Sequence, residues 1–162
     1  MPTYTRTSLT TATKSLCTAF STSAPLPTLL STFTSTPPPR IHEHGLPSLA
    51  PFLGRTFSDR DGLTEYFNLL AESLTVEDMG FDEEGSWAVD TETGVVCLRG
   101  RARFASKRTG EKWVETFIYR ITLAEEQEVD GREGGVKVRV YEIWADTGAA
   151  YLAGRGELKD LP

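Results

Sequence analysis

The stretch that decides the fold is Val95-Val96-Cys97-Leu98-Arg99-Gly100-Arg101-Ala102-Arg103-Phe104-Ala105-Ser106, followed by Trp113-Val114-Glu115-Thr116-Phe117-Ile118-Tyr119-Arg120-Ile121-Thr122-Leu123. Both segments alternate with a period of two, which is the signature of strands. Thr109-Gly110 between them reads as a two-residue hairpin turn. With that turn, Phe104 faces Glu115, Ala102 faces Phe117, Gly100 faces Tyr119, Leu98 faces Ile121 and Val96 faces Leu123. These residues share one side of the pleat, and Arg99, Arg101, Arg103, Thr116 and Arg120 share the other. A slip of one residue would mix the two sets. Gly100 opposite an aromatic also fits, because a ring can lie over a strand glycine.

Glu115 is the one charge on the apolar face of this hairpin. Burying an unpaired carboxylate is costly, so it must be paired, protonated or wet. The next strand, Val136 to Ala145, alternates Val136, Val138, Val140, Glu142 and Trp144 on one side. Pairing through the acidic 124–135 loop sets Phe117 near Glu142 and Glu115 near Trp144, whereas a bulge would exchange Glu142 for Tyr141.

Outward from the hairpin, residues 76–90 read as one or two strands with a turn at Glu84-Gly85. Asp90 to Gly94 is a turn, and the tail from Thr147 has little to define it. Upstream, Leu9, Ala12, Leu16, Ala19 and Phe20 form a helical stripe, and Leu26, Leu29, Leu30 and Phe33 a second one. Pro25 and Pro27 suit a helix start, and Pro37 to Pro39 a stop. Arg40 to His44 reads as a short strand and Gly45 to Phe57 as a Pro/Gly-punctuated loop. Ser58, with Asp61 three residues on, is the expected cap of a third helix whose stripe is Leu63, Tyr66, Phe67, Leu70 and Leu74. No repeat or linker divides the chain, so residues 1–162 are expected to form one α+β domain.

The net charge is −6. Residues 1–58 hold four basic residues and one acid, so the acidity lies downstream. An acidic chain without a Lys/Arg block argues against nucleic acid as a partner. No apolar run reaches a membrane span of about 18 residues. Cys17 and Cys97 read as free thiols of a reducing compartment. Residues 1–36 contain 18 Ser/Thr and no acid, a composition that also resembles a transit peptide. The periodic apolar residues favour ordered helices there instead. The expected compartment is the cytoplasm, with the mitochondrion as the lesser alternative.

The element order, together with His42-Glu43-His44-Gly45-Leu46-Pro47, Pro51-Phe52-Leu53-Gly54-Arg55, Asp61-Gly62-Leu63 with Tyr66-Phe67, and the closing Val140-Tyr141-Glu142-Ile143-Trp144-Ala145-Asp146, resembles the SnoaL-like proteins of the NTF2-like superfamily. The likeness spans roughly residues 8–150 and has a filamentous-fungal flavour. It implies a cone: a curved antiparallel sheet wrapped around about three N-terminal helices, with an internal pocket and frequent homodimerisation through the sheet. Such proteins include isomerases, cyclases, dehydratases and epoxide hydrolases, as well as binding proteins without chemistry. The paired Asp/Arg set of the epoxide hydrolases is missing here.

Candidate catalytic residues are Glu115, whose value a dry pocket would raise, His42 as a proton carrier, Tyr119, and Asp146, which either reaches the pocket mouth or caps the following turn. Candidate ligand-binding residues are Trp113, Phe117, Trp144, His44, Phe104 and Glu142. Two histidines without a nearby cysteine argue against a metal site, and no phosphate loop, nucleophile motif or dinucleotide fingerprint points to a cofactor. The arginine stripe, with Lys137 and Arg139, suits a solvated or dimer-facing surface. Two functions follow. One is a pocket protein binding a small apolar oxygenated ligand. The other is a cofactor-free lyase or isomerase with Glu115 as acid/base beside His42 or Tyr119.

Overall fold

Apolar stripes at helical spacing become helices. The computed structural model describes residues 4–128, 131 and 134–162. Helix α1 spans Arg6–Ser21 and α2 Leu26–Ser31. A reciprocal box starts α1: the Thr5 hydroxyl accepts from the Ser8 amide at 3.0 Å, and the Ser8 hydroxyl accepts from the Thr5 amide at 3.2 Å. Strand β1 (Arg40–His44) pairs with β2 (Thr56–Ser58), and α3 follows at Asp59–Ser73. The expected Ser58 cap makes no side-chain bond. Asp59 takes over, accepting from the amides of Asp61 and Gly62 at 3.0 Å each from a left-handed φ of 59°. Asp tolerates that conformation because its short side chain bonds locally.

Strand β3 (Leu74–Phe81) is bulged between Glu77 and Gly80, and a turn of 3₁₀ helix leads to β4 (Ala88–Asp90). The long strands β5 (Val95–Ser106), β6 (Lys112–Glu126) and β7 (Gly135–Trp144) complete the sheet. Its order is β2-β1-β7-β6-β5-β3, with β4 also on β5, and β1 runs parallel to β7. The acidic loop is shorter than expected, because β6 and β7 extend into it, and residues 129, 130, 132 and 133 of that reading lie outside the described residues. The helices lie on the inner side of the sheet, and Leu9, Leu16, Phe33, Leu63, Val96 and Ile121 are fully buried between them. Among the described residues no helix is long and apolar enough to cross a membrane.

The hairpin faces are those read from the alternation, but the register is shifted by two residues. Phe104 faces Trp113, Ala102 faces Glu115, Gly100 faces Phe117, Leu98 faces Tyr119 and Val96 faces Ile121. A shift of two keeps every side chain on its face. The loop is Lys107–Gly110, not Thr109-Gly110 alone. A two-residue type I′ turn needs φ > 0 at both positions, which a β-branched Thr resists. Here only Gly110 takes it, at 76°. Outside partners hold the longer loop: the Lys107 amide donates to the Ser73 carbonyl at 3.0 Å, and the Thr109 hydroxyl donates to the Ala153 carbonyl.

Ala153 belongs to α4 (Thr147–Arg155), which the small, polar tail did not announce. Asp146 caps it, accepting from the Ala149 amide at 3.0 Å, and Gly156 ends it at a φ of 74°. Glu111 then accepts from the amides of Leu158 and Lys159. Tertiary contacts and two caps thus order a helix of weak intrinsic pattern.

Candidate functional site

A bulge in β7 decides which residues face inward. Val138 pairs with Leu123, but Val140 pairs with Thr122, so Arg139 is the additional residue. The phase flips there. Upstream Val138 points in; downstream Tyr141 and Ile143 do, and Glu142 and Trp144 point out. The bulged alternative, which exchanges Glu142 for Tyr141, therefore replaces the straight register that set Phe117 by Glu142 and Glu115 by Trp144. Ile118 faces Trp144 and Arg120 faces Glu142.

The inner face, α1 and α3 enclose a cavity of about 480 Å³. Ligand pockets commonly measure about 300–1,000 Å³. Glu115, Trp113, Phe104, Phe117, Tyr119 and Asp146 all line it, as their sequence positions suggested. His42, His44, Glu142 and Trp144 do not. They form a cluster on the outer face, where Trp144 stacks on His44 at 4.0 Å and His44 Nε2 lies 3.2 Å from Glu142. Strand alternation had put both histidines on one side, and it is the outer one. Ile41 is fully buried, so its two-residue neighbour Glu43 points in and His42 and His44 point out. Arg120 donates to Glu142 at 2.8 Å on the same outer surface, where Val114, Ile118 and Trp144 stay 43–50% exposed.

Glu43 is the site residue that sequence reasoning passed over. It is 7% exposed, and its Oε2 accepts from the Tyr66 hydroxyl at 2.7 Å. Burial pushes its carboxyl up to about 7, with the Tyr66 bond acting against that and the charge of Glu115 adding to it. Ile41, two residues before it, is the signal that would have found it. Tyr66, read as part of an apolar stripe and of the motif carrying the resemblance but not as a site residue, is its donor from α3.

Glu115 faces Ala102 across the hairpin. Its Oε2 accepts from the Trp113 indole N–H at 2.9 Å, and Trp113 in turn stacks on Phe104 at 5.7 Å. Burial pushes Glu115 up to about 7, the indole bond opposes this, the charge of Asp146 adds to it, and the Asp146 backbone bond opposes it. Asp146 is thus both at the cavity and a helix cap. Tyr119, on Glu115's own strand, and Tyr141, on β7 between β1 and β6, meet edge to face at 4.8 Å, and burial raises both phenols. Phe117 stacks on Tyr119 at 4.9 Å and lies over Gly100, whose hydrogen leaves room for the ring. No cluster of metal-ligating side chains occurs among the described residues.

This arrangement can hold an apolar body against aromatic walls and offer two carboxyls of raised value from different strands. Groups with values near neutrality can both take and give protons.

The sequence matches no family model and no curated protein. Solved structures do resemble it in fold. A ketosteroid isomerase-like protein from Erwinia carotovora atroseptica aligns at a TM-score of 0.63 and 16% identity, over 86% of this chain and 95% of that one. An NTF2-like protein from Burkholderia xenovorans aligns at 0.63 and 17%, over 94% and 99%. The pinacolase BvnE from Penicillium brevicompactum aligns at 0.61 and 13%, over 96% of each chain.

Proposed function

We propose that this chain, built on the NTF2-like cone, binds a small, mainly apolar oxygenated molecule and moves a proton on it, as a cofactor-free isomerase or lyase. The observation that carries this reading is the pair Glu43 and Glu115, two carboxyls of raised value facing one aromatic-walled cavity. In the proposed step, the Glu115 carboxylate takes a proton from a carbon next to a carbonyl. Protonated Glu43, aligned by Tyr66, donates a hydrogen bond or its proton to the carbonyl oxygen. Return of the proton to a different carbon completes an isomerisation; loss of a β-oxygen leaving group, with Glu43 supplying its proton, completes an elimination. Glu43 with Tyr66 replaces His42 as partner, since His42 lies on the outer face.

The test is hydrogen exchange at the α-carbons of a bicyclic ketone probe, 2-tetralone, followed by NMR in deuterated water at pH 7. Wild type is expected to accelerate exchange, and Glu115→Gln to lower that acceleration at least 100-fold, within the range of about 10²–10⁴ for one general base. Exchange that Glu115→Gln leaves unchanged would remove the proposed base.

A second reading is a binding protein without chemistry. The hydrogen bonds from Trp113 to Glu115 and from Tyr66 to Glu43 favour it, because each acid already has a structural donor. Saturable binding of 2-tetralone with no accelerated exchange would select this reading.

A further inference from the structure

The charges around the cavity are all of one sign. Glu43, Glu77, Asp78, Glu115 and Asp146 line it, and among the described residues no Lys, Arg or His does. Glu77 and Asp78 sit on the bulge of β3 and share Arg103, which lies 3.8 and 3.3 Å away, so their charge is partly answered at the rim. Among the described residues, Glu43, Glu115 and Asp146 have no basic side chain within ion-pair distance. Of these acids, Glu43 is the most deeply placed. It is more than nine-tenths buried and lines the cavity, yet only Oε2 is engaged, by Tyr66; Oε1 takes no hydrogen bond from the described residues. Aromatic rings fill much of the remaining wall, among them Phe20, Tyr66, Phe117, Tyr119 and Tyr141.

We propose that the cavity selects a ligand carrying a cationic nitrogen on its apolar body, such as a protonated amine, over its neutral and anionic counterparts. The inference rests on the pocket reading above and narrows its ligand class. Carboxylates and ring faces both attract a cation, and a low-dielectric wall strengthens each attraction. An anion would meet no positive side chain among the described lining residues. The overall charge of −6 acts in the same direction during encounter.

The cation also restores ionisation to the acids that burial suppresses. Groups facing Glu43 are Tyr66 from α3, Glu115 and Tyr119 from β6 and Tyr141 from β7; Glu115 also faces Asp146 after β7 and the Trp113 indole. None supplies positive charge. A bound ammonium therefore drives off a proton from the pair, so binding strengthens as pH rises toward 7.

Three probes with one ring test this: tryptamine, tryptophol and indole-3-acetate, which carry an ammonium, a hydroxyl and a carboxylate. Calorimetry on the full chain at pH 7.5 is expected to give tryptamine a Kd at least tenfold below that of tryptophol, with indole-3-acetate weakest. Between pH 5.5 and 6.5 the tryptamine Kd should fall about tenfold, as one released proton requires, while tryptophol changes little. Glu43→Gln and Glu115→Gln should each erode the preference, and circular dichroism checks that each variant is folded. Tryptophol binding as tightly as tryptamine overturns the cation preference and leaves the pocket reading standing. Millimolar or no binding by all three overturns both.

Discussion

The two faces of the β1-β7-β6-β5 sheet are made by the same strands and treat the same residue type in opposite ways. On the outer face, burial works to raise Glu142, but the hydrogen bonds from Arg120 and His44 outweigh it and hold the carboxyl below the usual range. On the inner face, Glu43 and Glu115 are pushed up to about 7, because one phenol and one indole do not offset burial. The outer charges are answered within the fold: Arg99 by Asp82, Arg103 by Glu77 and Asp78, Arg120 by Glu142. Glu43 and Glu115 are answered by neutral donors only. Alternation along a strand thus assigns each glutamate a solvent, and the solvent decides whether the charge is stable. Acids kept in the unfavourable position are the ones to credit with a role.

The contrast is sharpest at adjacent residues of β5. A Cβ on Gly100 would overlap the Phe117 ring and come within 3.0 Å of Phe81, both packed on the inner side. Arg101 beside it is exposed. Gly100→Val is expected to lower the unfolding free energy by about 3 kcal/mol, at the upper end of overpacking costs. Arg101→Ala should change it by about 0.5 kcal/mol or less. Urea unfolding of the two variants measures both. Equal costs would mean that the inner face is not packed as tightly as the aromatic stack implies.

Much of this was legible in the sequence, because period-two alternation is a strong signal over 10 or more residues. It placed Glu115, Phe117, Tyr119 and Phe104 on the inner face even though the hairpin register was off by two, since an even shift preserves the face. It misplaced Glu142 and Trp144, because the bulge at Arg139 reverses the phase and nothing local to Arg139 marks it. Val138 and Val140 look alike in sequence, and only pairing with Thr122 and Leu123 separates them. His42 and His44 attracted notice as titratable residues, yet the apolar Ile41 had already decided which side faces solvent. Helix α4 stayed hidden because its stability comes from Asp146, Gly156 and the hairpin loop, not from a long apolar stripe.

Stability against pH tests whether the inner acids are kept at a cost to the fold. The unfolded chain loses these protons near 4.5, whereas the fold holds them to about 7. Between those values the native state binds more protons than the unfolded one, so stability falls as pH rises through this window. Denaturant unfolding of wild type at pH 5 and pH 8 should show a loss of about 3–5 kcal/mol attributable to the pair, the lower figure if only one of the two titrates in this range. Each tenfold change in a carboxyl's proton affinity is worth roughly 1.4 kcal/mol, and the two acids titrate as a coupled pair. Glu43→Gln/Glu115→Gln retains both hydrogen-bond acceptors and should remove that loss, making the variant the more stable protein at pH 8. A variant less stable than wild type at pH 8 would mean that the carboxylates are well-satisfied structural groups, and the contrast between the two faces would fail.

Glu142 provides the smallest effect and the opposite sign. Its folded value is lowered, so the stability it confers is present above the unfolded value near 4.5 and is lost as pH falls through the folded one. Arg120 is nearly half exposed, so solvent screens the pair and Glu142→Gln should cost only about 0.5–1 kcal/mol at pH 7. As pH falls through the folded value the difference between variant and wild type should shrink, since the carboxyl then becomes protonated in both states of the wild type. The same substitution, Glu to Gln, would therefore weaken the protein slightly from the outside and strengthen it from the inside at pH 8. If Glu142→Gln stabilised the fold instead, the Arg120 and His44 contacts would not outweigh burial, and the outer face would be no kinder to a carboxylate than the cavity is.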